Sequence, residues 1–326
     1  MSDCTSPAPV KPARRGRAGV WVAATAAAYL AVLWYIDRDR NILSQLADHA
    51  CTLALCSALV LASYVFRYQR WRAVLAAQRL RPHSWGQGAL AYLAGFAFTA
   101  SPGKAGELLR IRYFGWQGIP PSATLATFIF ERALDLLVIT ALAIGAAHLI
   151  PAFGALAAII LGVVLALALL GCWPQLARTA HRCIERLPGA PLRRLGHFLV
   201  SGASALGPLL RVRLLLHASL HGAAAWLLTA AAFALLCHAM GIAQPWPVAM
   251  GIYPLAMLVG ALSFVPGGVG TTEAAIVVML GATGVAVDTA LAVAIGIRLV
   301  SLWLAVAVGM VAVALLEVSR RAPLTR

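Results

Sequence analysis

Apolar residues run through this chain in long uniform blocks, not in the period-2 alternation of strands or the narrow stripes of surface helices. Six blocks are unbroken: 18 to 36, 48 to 66, 122 to 150, 152 to 172, 214 to 240 and 289 to 316. A helix crosses the hydrocarbon core with about 20 predominantly apolar residues, so each block predicts a full transmembrane helix. Two more apolar regions are interrupted by Pro-Gly clusters, 87 to 117 at Ser101-Pro102-Gly103 and 247 to 286 at Pro266-Gly267-Gly268. These predict re-entrant broken-helix hairpins, because proline removes a helical donor and glycine relaxes the backbone. The expected fold is an all-α polytopic membrane protein with about six full transmembrane helices and two such hairpins.

Loop charge sets the expected orientation, since short cytoplasmic loops collect Lys and Arg. The N-terminal tail carries Lys11, Arg14, Arg15 and Arg17, the 67 to 86 loop carries Arg67, Arg70, Arg72, Arg79 and Arg81, and the 173 to 213 connection carries seven arginines from Arg178 to Arg213. All three belong inside. The 37 to 49 loop, where Asp37, Asp39 and Asp48 offset Arg38 and Arg40, belongs outside with the turns near Pro151 and at 241 to 247. Arg320, Arg321 and Arg326 place the C-terminus inside, which requires each hairpin to return to the side it entered. The chain then divides into a tail (1–17), one transmembrane domain (18–316) and a second cytoplasmic tail (317–326).

That topology exposes an inverted repeat. Residues 48 to 150 and 214 to 316 each read as helix, broken hairpin, helix, in opposite orientations, joined by the Pro-rich stretch 173 to 213, which is read as a connector lying at the membrane interface. Both breaks read P-G-x-x-G followed by glutamate, in Pro102 to Glu107 and Pro266 to Glu273. Paired broken helices of this kind recur in transporters, although Pro-Gly pairs also serve as plain loop punctuation.

Composition agrees with a lipid environment: 61% of the 326 residues are hydrophobic and 11% charged, against about 25% charged in an ordinary soluble domain. The net charge of +15 does not point to nucleic acid, because the basic residues sit in tails, loops and helix ends. Six scattered cysteines without a CxxC pair indicate neither a disulfide framework nor a zinc site. The first apolar block exceeds the roughly 7–15 residues of a cleaved signal, so it is read as a retained helix.

Charges inside apolar spans are costly and therefore mark function. Glu131, Arg132 and Asp135 lie within one predicted span, and the two carboxylates share a helical face. They repel unless a cation or a proton intervenes, with Lys104, Arg132 and Arg298 as the available cations; a purely structural ion-pair network is the competing reading. Lys104 and Glu107 mark the first break, where a helix N-terminus and a lysine suit a phosphate. The P-loop pattern itself is absent. At the second break Thr271 or Thr272 is expected to cap the next helix, which leaves Glu273 to be explained. Arg298 interrupts the last span and is expected to neutralise an acid, with snorkelling as the alternative. His217 and His221 are four apart but have no third ligand, so an interfacial role is expected and no metal.

Together P-G-K-x-G-E at 102 to 107, E-R-x-x-D at 131 to 135 and P-G-G-V-G-x-x-E at 266 to 273 resemble the transmembrane flippase region of lysylphosphatidylglycerol synthases, in order and spacing, over about 18 to 316. The resemblance implies a bacterial inner-membrane protein that moves an aminoacylated or otherwise modified lipid between leaflets. It implies functional roles for Pro102, Gly103, Lys104, Gly106, Glu107, Glu131, Arg132, Asp135, Pro266, Gly267, Gly268, Gly270 and Glu273; Thr271 and Arg298 join them from the residue-level reading. No aminoacyl-transferase domain follows residue 316, so the chain is expected to be a stand-alone member that does not make the lysyl lipid.

The expectation is thus a phospholipid or glycolipid translocator and not an enzyme, needing no cofactor or metal. Four carboxylates against Lys104, Arg132 and Arg298 would favour a headgroup of positive character. A separate lipid-modifying synthase and self-association are compatible partners; nucleic acid is not. The competing classes are a membrane-embedded transferase using Glu131 or Asp135 as base, and an accessory subunit of a synthase.

Overall fold

A computed structural model describes residues 15–101, 107–186, 188–263 and 265–321. Among these residues every regular element is a helix. The first third comprises α1 (Arg15–Arg40), a short α2 (Ile42–Asp48), α3 (Ala50–Ala77), α4 (Trp85–Ala94) and α5 (Arg110–Gly115). The middle contains α6 (Pro121–Ala143), α7 (Phe153–Cys172), α8 (Pro174–Glu185) and α9 (Ala190–Ser204). The last part holds α10 (Val212–Ala239), α11 (Trp246–Leu262), α12 (Thr271–Ala282), α13 (Val287–Arg298) and α14 (Leu304–Arg321).

Helix starts follow local chemistry. Proline occupies the first turn of α6, α8, α9 and α11, where its missing N–H costs nothing. Ser84 caps α4 by accepting from the Gln87 amide at 3.2 Å. A π-helical turn, Leu299–Trp303, joins α13 to α14, so that Val287–Arg320 forms one continuous rod. Four elements are long and apolar enough to cross a membrane by length and composition: Ala50–Ala77, Phe153–Cys172, Val212–Ala239 and Val287–Arg320. Ile159, Leu161, Val163 and Leu165 of α7 are exposed, the outward apolar surface that hydrocarbon solvates and water does not.

The helix pairings are reciprocal. α3 lies along α10; α4 packs on α14, and α11 packs on α6. Close approach depends on small residues: a Cβ on Gly309 would lie 2.1 Å from the Ala97 amide nitrogen, which seats α14 against the turn after α4. The 173 to 213 connector contains α8 and α9, which pack on each other and, through α9, on α6 and α7.

Two predicted boundaries are corrected: most of the 37 to 49 loop is helical, with α1 running to Arg40 and α2 spanning Ile42–Asp48. The apolar block ending at residue 66 continues as helix to Ala77, so Arg67, Arg70 and Arg72 are not loop residues. Hydropathy ends the block at the first arginine. The helix goes on because Tyr68, Trp71, Val74 and Leu75 still have a core to enter.

Candidate functional site

The buried side of this α3 extension organises the centre of the molecule. Arg70 is fully buried and divides its guanidinium between the two acids of α6, with Nη2 at 3.0 Å from Glu131 Oε1 and Nη1 at 2.8 Å from Asp135 Oδ1. A cation therefore separates the two carboxylates, and it comes from α3. Arg132 Nη2 reaches Asp135 Oδ2 at 2.9 Å, Arg67 Nη1 lies 3.7 Å from the same oxygen, and the Trp226 indole donates to Asp135 Oδ1 at 3.0 Å. Gly222 of α10 makes room for this: a Cβ there would sit 2.5 Å from Arg70 Nη1.

Arg110, at the start of α5, enters the same cluster. Its Nη1 lies 3.4 Å from Glu131 Oε2 and 3.3 Å from Glu107 Oε2, and its Nε donates to the Tyr92 carbonyl at 3.0 Å. The guanidinium lies 3.9 Å from the centre of the Tyr92 ring and 5.0 Å from that of Trp71, where the π-faces favour a cation. The Tyr92 hydroxyl donates to Glu131 at 3.1 Å, and Thr99 donates to Glu107 at 3.2 Å. An unpaired buried charge costs about 3–5 kcal/mol, but Glu131 and Asp135 each have three arginine partners, so loss of one leaves neither acid unpaired.

The second break is built differently. Gly267, Gly268 and Gly270 have φ of 63°, 64° and 82°, left-handed conformations that disfavour residues with a Cβ; this is what the glycine spacing of the motif serves. Arg298 closes the break: its Nε lies 2.9 Å from Glu273 Oε1, and its Nη2 donates to the Gly267 carbonyl. The expected threonine cap is corrected. Gly270 is the N-cap, with no side-chain capping bond, and the Thr271 hydroxyl instead donates back to the Gly268 carbonyl at 3.1 Å. The chain must leave the break at positive φ, a geometry a β-branched threonine opposes. The Thr272 hydroxyl is buried and has no hydrogen-bond partner among the described residues.

Two adjoining cavities, of about 90 Å³ and 270 Å³, open between these assemblies and share Arg132, Trp226, Met257 and Gly267 as lining. The smaller is also lined by Arg67, Glu107 and Arg298, the larger by Ser101, Asp135 and Thr272. The two breaks abut, since a Cβ on Gly267 would lie 3.2 Å from the Ala100 Cα.

The expected acidic excess is corrected by these contacts. Among the described residues the assembly contains Arg67, Arg70, Arg110, Arg132 and Arg298 against Glu107, Glu131, Asp135 and Glu273, a positive balance. Of the residues expected at the site, Glu107, Glu131, Arg132, Asp135, Gly267, Gly268, Glu273 and Arg298 line the cavities or bind side chains that do. Pro266, Gly270 and Thr271 shape the second break. Pro102, Gly103, Lys104 and Gly106 lie outside the described residues, as do the tail residues 1–14 and 322–326. Arg67 and Arg70, which the sequence places in a loop, and Arg110, just beyond the first break, are the arginines that join this cluster without having been expected in it. A signal for the pairing was available in the spacing: the 25 residues that separate Glu273 from Arg298 also separate Glu107 from Arg132, whose Nη2 lies 3.9 Å from Glu107 Oε2.

A family model described as the lysylphosphatidylglycerol synthase TM region matches residues 19–309. Comparison with curated proteins returns no match.

Proposed function

The chain belongs to the lysylphosphatidylglycerol synthase transmembrane-region family, a membrane protein linked to lipid modification or flipping, and on that premise we propose that it translocates a phosphodiester lipid between the leaflets of a bacterial inner membrane. The observation that carries this reading is the charge set around the shared cavity, which is positive among the described residues. A buried uncompensated charge is unfavourable, and the phosphate of a lipid headgroup supplies the missing anion. Arg132, whose side chain is 24% exposed, and Arg298 present donors to it from opposite halves of the chain, while Thr272 and Glu107 receive the headgroup's hydroxyls or amine. The tails remain in hydrocarbon.

The proposed architecture has α1, α3, α6, α7, α10 and the α13–α14 rod crossing the bilayer, with both termini cytoplasmic. The segments around α4–α5 and α11–α12 dip in from opposite sides and return. The reciprocal pairing of α4 with α14 and of α11 with α6, about the α3–α10 pair, supports an inverted repeat: a twofold relation exchanges one contact for the other. The repeated Glu–Arg spacing supports it independently. A separate synthase would deliver the modified lipid.

The test is leaflet-resolved movement of a fluorescent phosphatidylglycerol in vesicles containing the purified protein. Arg132→Gln is expected to abolish the movement with the fold intact, because Arg70 and Arg110 still neutralise the α6 acids. Wild-type movement by that variant, or chemical conversion of the probe by the unaltered protein, overturns the reading.

A further inference from the structure

Another cavity, of about 420 Å³, lies between the end of α3, the α3–α4 connection and the start of α10. It shares no lining residue with the two central cavities. Arg72, Arg81, Ser84, Trp85, His217 and His221 form most of its wall, and no carboxylate does. Among the described residues neither arginine has an ion-pair partner.

Arg72 and the two histidines are held in place. Gln69 Oε1 accepts from Arg72 Nη1 at 2.9 Å. The His217 and His221 rings stack with centroids 4.1 Å apart, and His221 Nδ1 donates to the His217 carbonyl at 2.9 Å. Ser84 caps α4 at the same wall, so the positive end of that helix adds to the field. Apolar surface adjoins the charge. Phe66, whose ring lies 6.2 Å from that of His221, is exposed, as are Leu216 and Leu220, the residues preceding each histidine. Trp85 is 52% exposed, and tryptophan favours the headgroup level of a bilayer.

A cationic pocket bordered by exposed aliphatic and aromatic side chains matches an amphiphile better than a free ion. We propose that this pocket binds the phosphate of an anionic phospholipid, with the acyl chains lying along Phe66, Leu216 and Leu220. The site is separate from the translocation cavity and does not depend on transport.

The experiment is lipid binding to the purified full chain, measured by native mass spectrometry with phosphatidylglycerol and phosphatidylcholine as probes. The double variant Arg72→Gln/Arg81→Gln should bind phosphatidylglycerol about tenfold more weakly, with phosphatidylcholine unchanged. Arg72→Lys/Arg81→Lys should retain most of the preference. On the unaltered protein, a phosphatidylglycerol with a photoreactive headgroup should label peptides containing Arg81 and His217, and millimolar inorganic phosphate should leave this labelling in place. Wild-type affinity in the glutamine double variant, or labelling confined to the central cavity, overturns the proposal. Displacement by inorganic phosphate overturns it in favour of a free-phosphate site. Loss of transport in Arg132→Gln tests the central cavity alone, so the two readings fail separately.

Discussion

Arg298 lies 2.9 Å from Glu273 across the second helix break, and Arg132 faces Glu107 beside the first break with the same separation in sequence. In the second pair, Arg298 also binds the Gly267 carbonyl, so the arginine restrains the backbone as well as the acid. In the first pair, Arg110 lies 3.3 Å from Glu107 against 3.9 Å for Arg132, and the Arg132 side chain is 24% exposed. The two pairs thus differ: Arg298 is buried and ties the acid to the backbone, whereas Arg132 lines both central cavities.

That division predicts a difference in stability. Arg298→Gln strands a buried glutamate and should destabilise the protein by about 3 kcal/mol or more, read as a lowered thermal midpoint in detergent. The double change with Glu273→Gln should recover much of the loss. Purely additive effects of the two changes would show that the pair is not coupled.

Gly222 gives a steric prediction. Gly222→Ala pushes a methyl group to 2.5 Å from Arg70 Nη1, and overpacking of this kind costs about 1–3 kcal/mol. Gly281→Ala is the control: Gly281 lies inside α12 with nothing within 4 Å of the added carbon, and alanine is favoured there by about 0.5–1 kcal/mol. Equal midpoints for the two variants would contradict the packing of Arg70 on α10.

The second break predicts a graded series. Gly270→Ala meets open space but must hold φ near 82°, whereas Gly267→Ala holds φ near 63° and also meets Ala100. Positive φ costs a residue with a Cβ about 1–2 kcal/mol, so both should lose stability and Gly267→Ala more. In the vesicle assay, Gly267→Ala should also slow lipid movement by disturbing the wall shared by both cavities.

Orientation is testable with two natural cysteines that are exposed, Cys51 and Cys183. In single-cysteine variants, a membrane-impermeant maleimide applied to intact spheroplasts should modify Cys51 and should reach Cys183 only after permeabilisation. The opposite pattern would invert the proposed topology.

Hydropathy located the four membrane-length helices, α3, α7, α10 and the α13–α14 rod, but α2, α8 and α9 lie where a loop and a connector were expected. The method failed at the end of α3, since a window that penalises charge cannot distinguish a helix entering water from one carrying Arg70 into a pocket of acids. The acids of α6 were legible because carboxylates amid Phe and Leu stand out. Their arginine partners were not, because Arg67 and Arg70 adjoin a basic stretch that the positive-inside rule already explains. The threonine cap failed for another reason: capping preference is local, and here a glycine at positive φ sets the exit from the break.

The contact between Gly267 and Ala100 bears on how the protein is made. By the time α9 has been synthesised, Arg70 and its partners on α6 exist, but neither Gly267 nor Arg298 does. The cavity wall at the breaks is therefore completed only with the final rod. A nascent chain halted before residue 298 would carry the charged core without the wall that Arg298, Ser301, Leu302 and Ala305 supply.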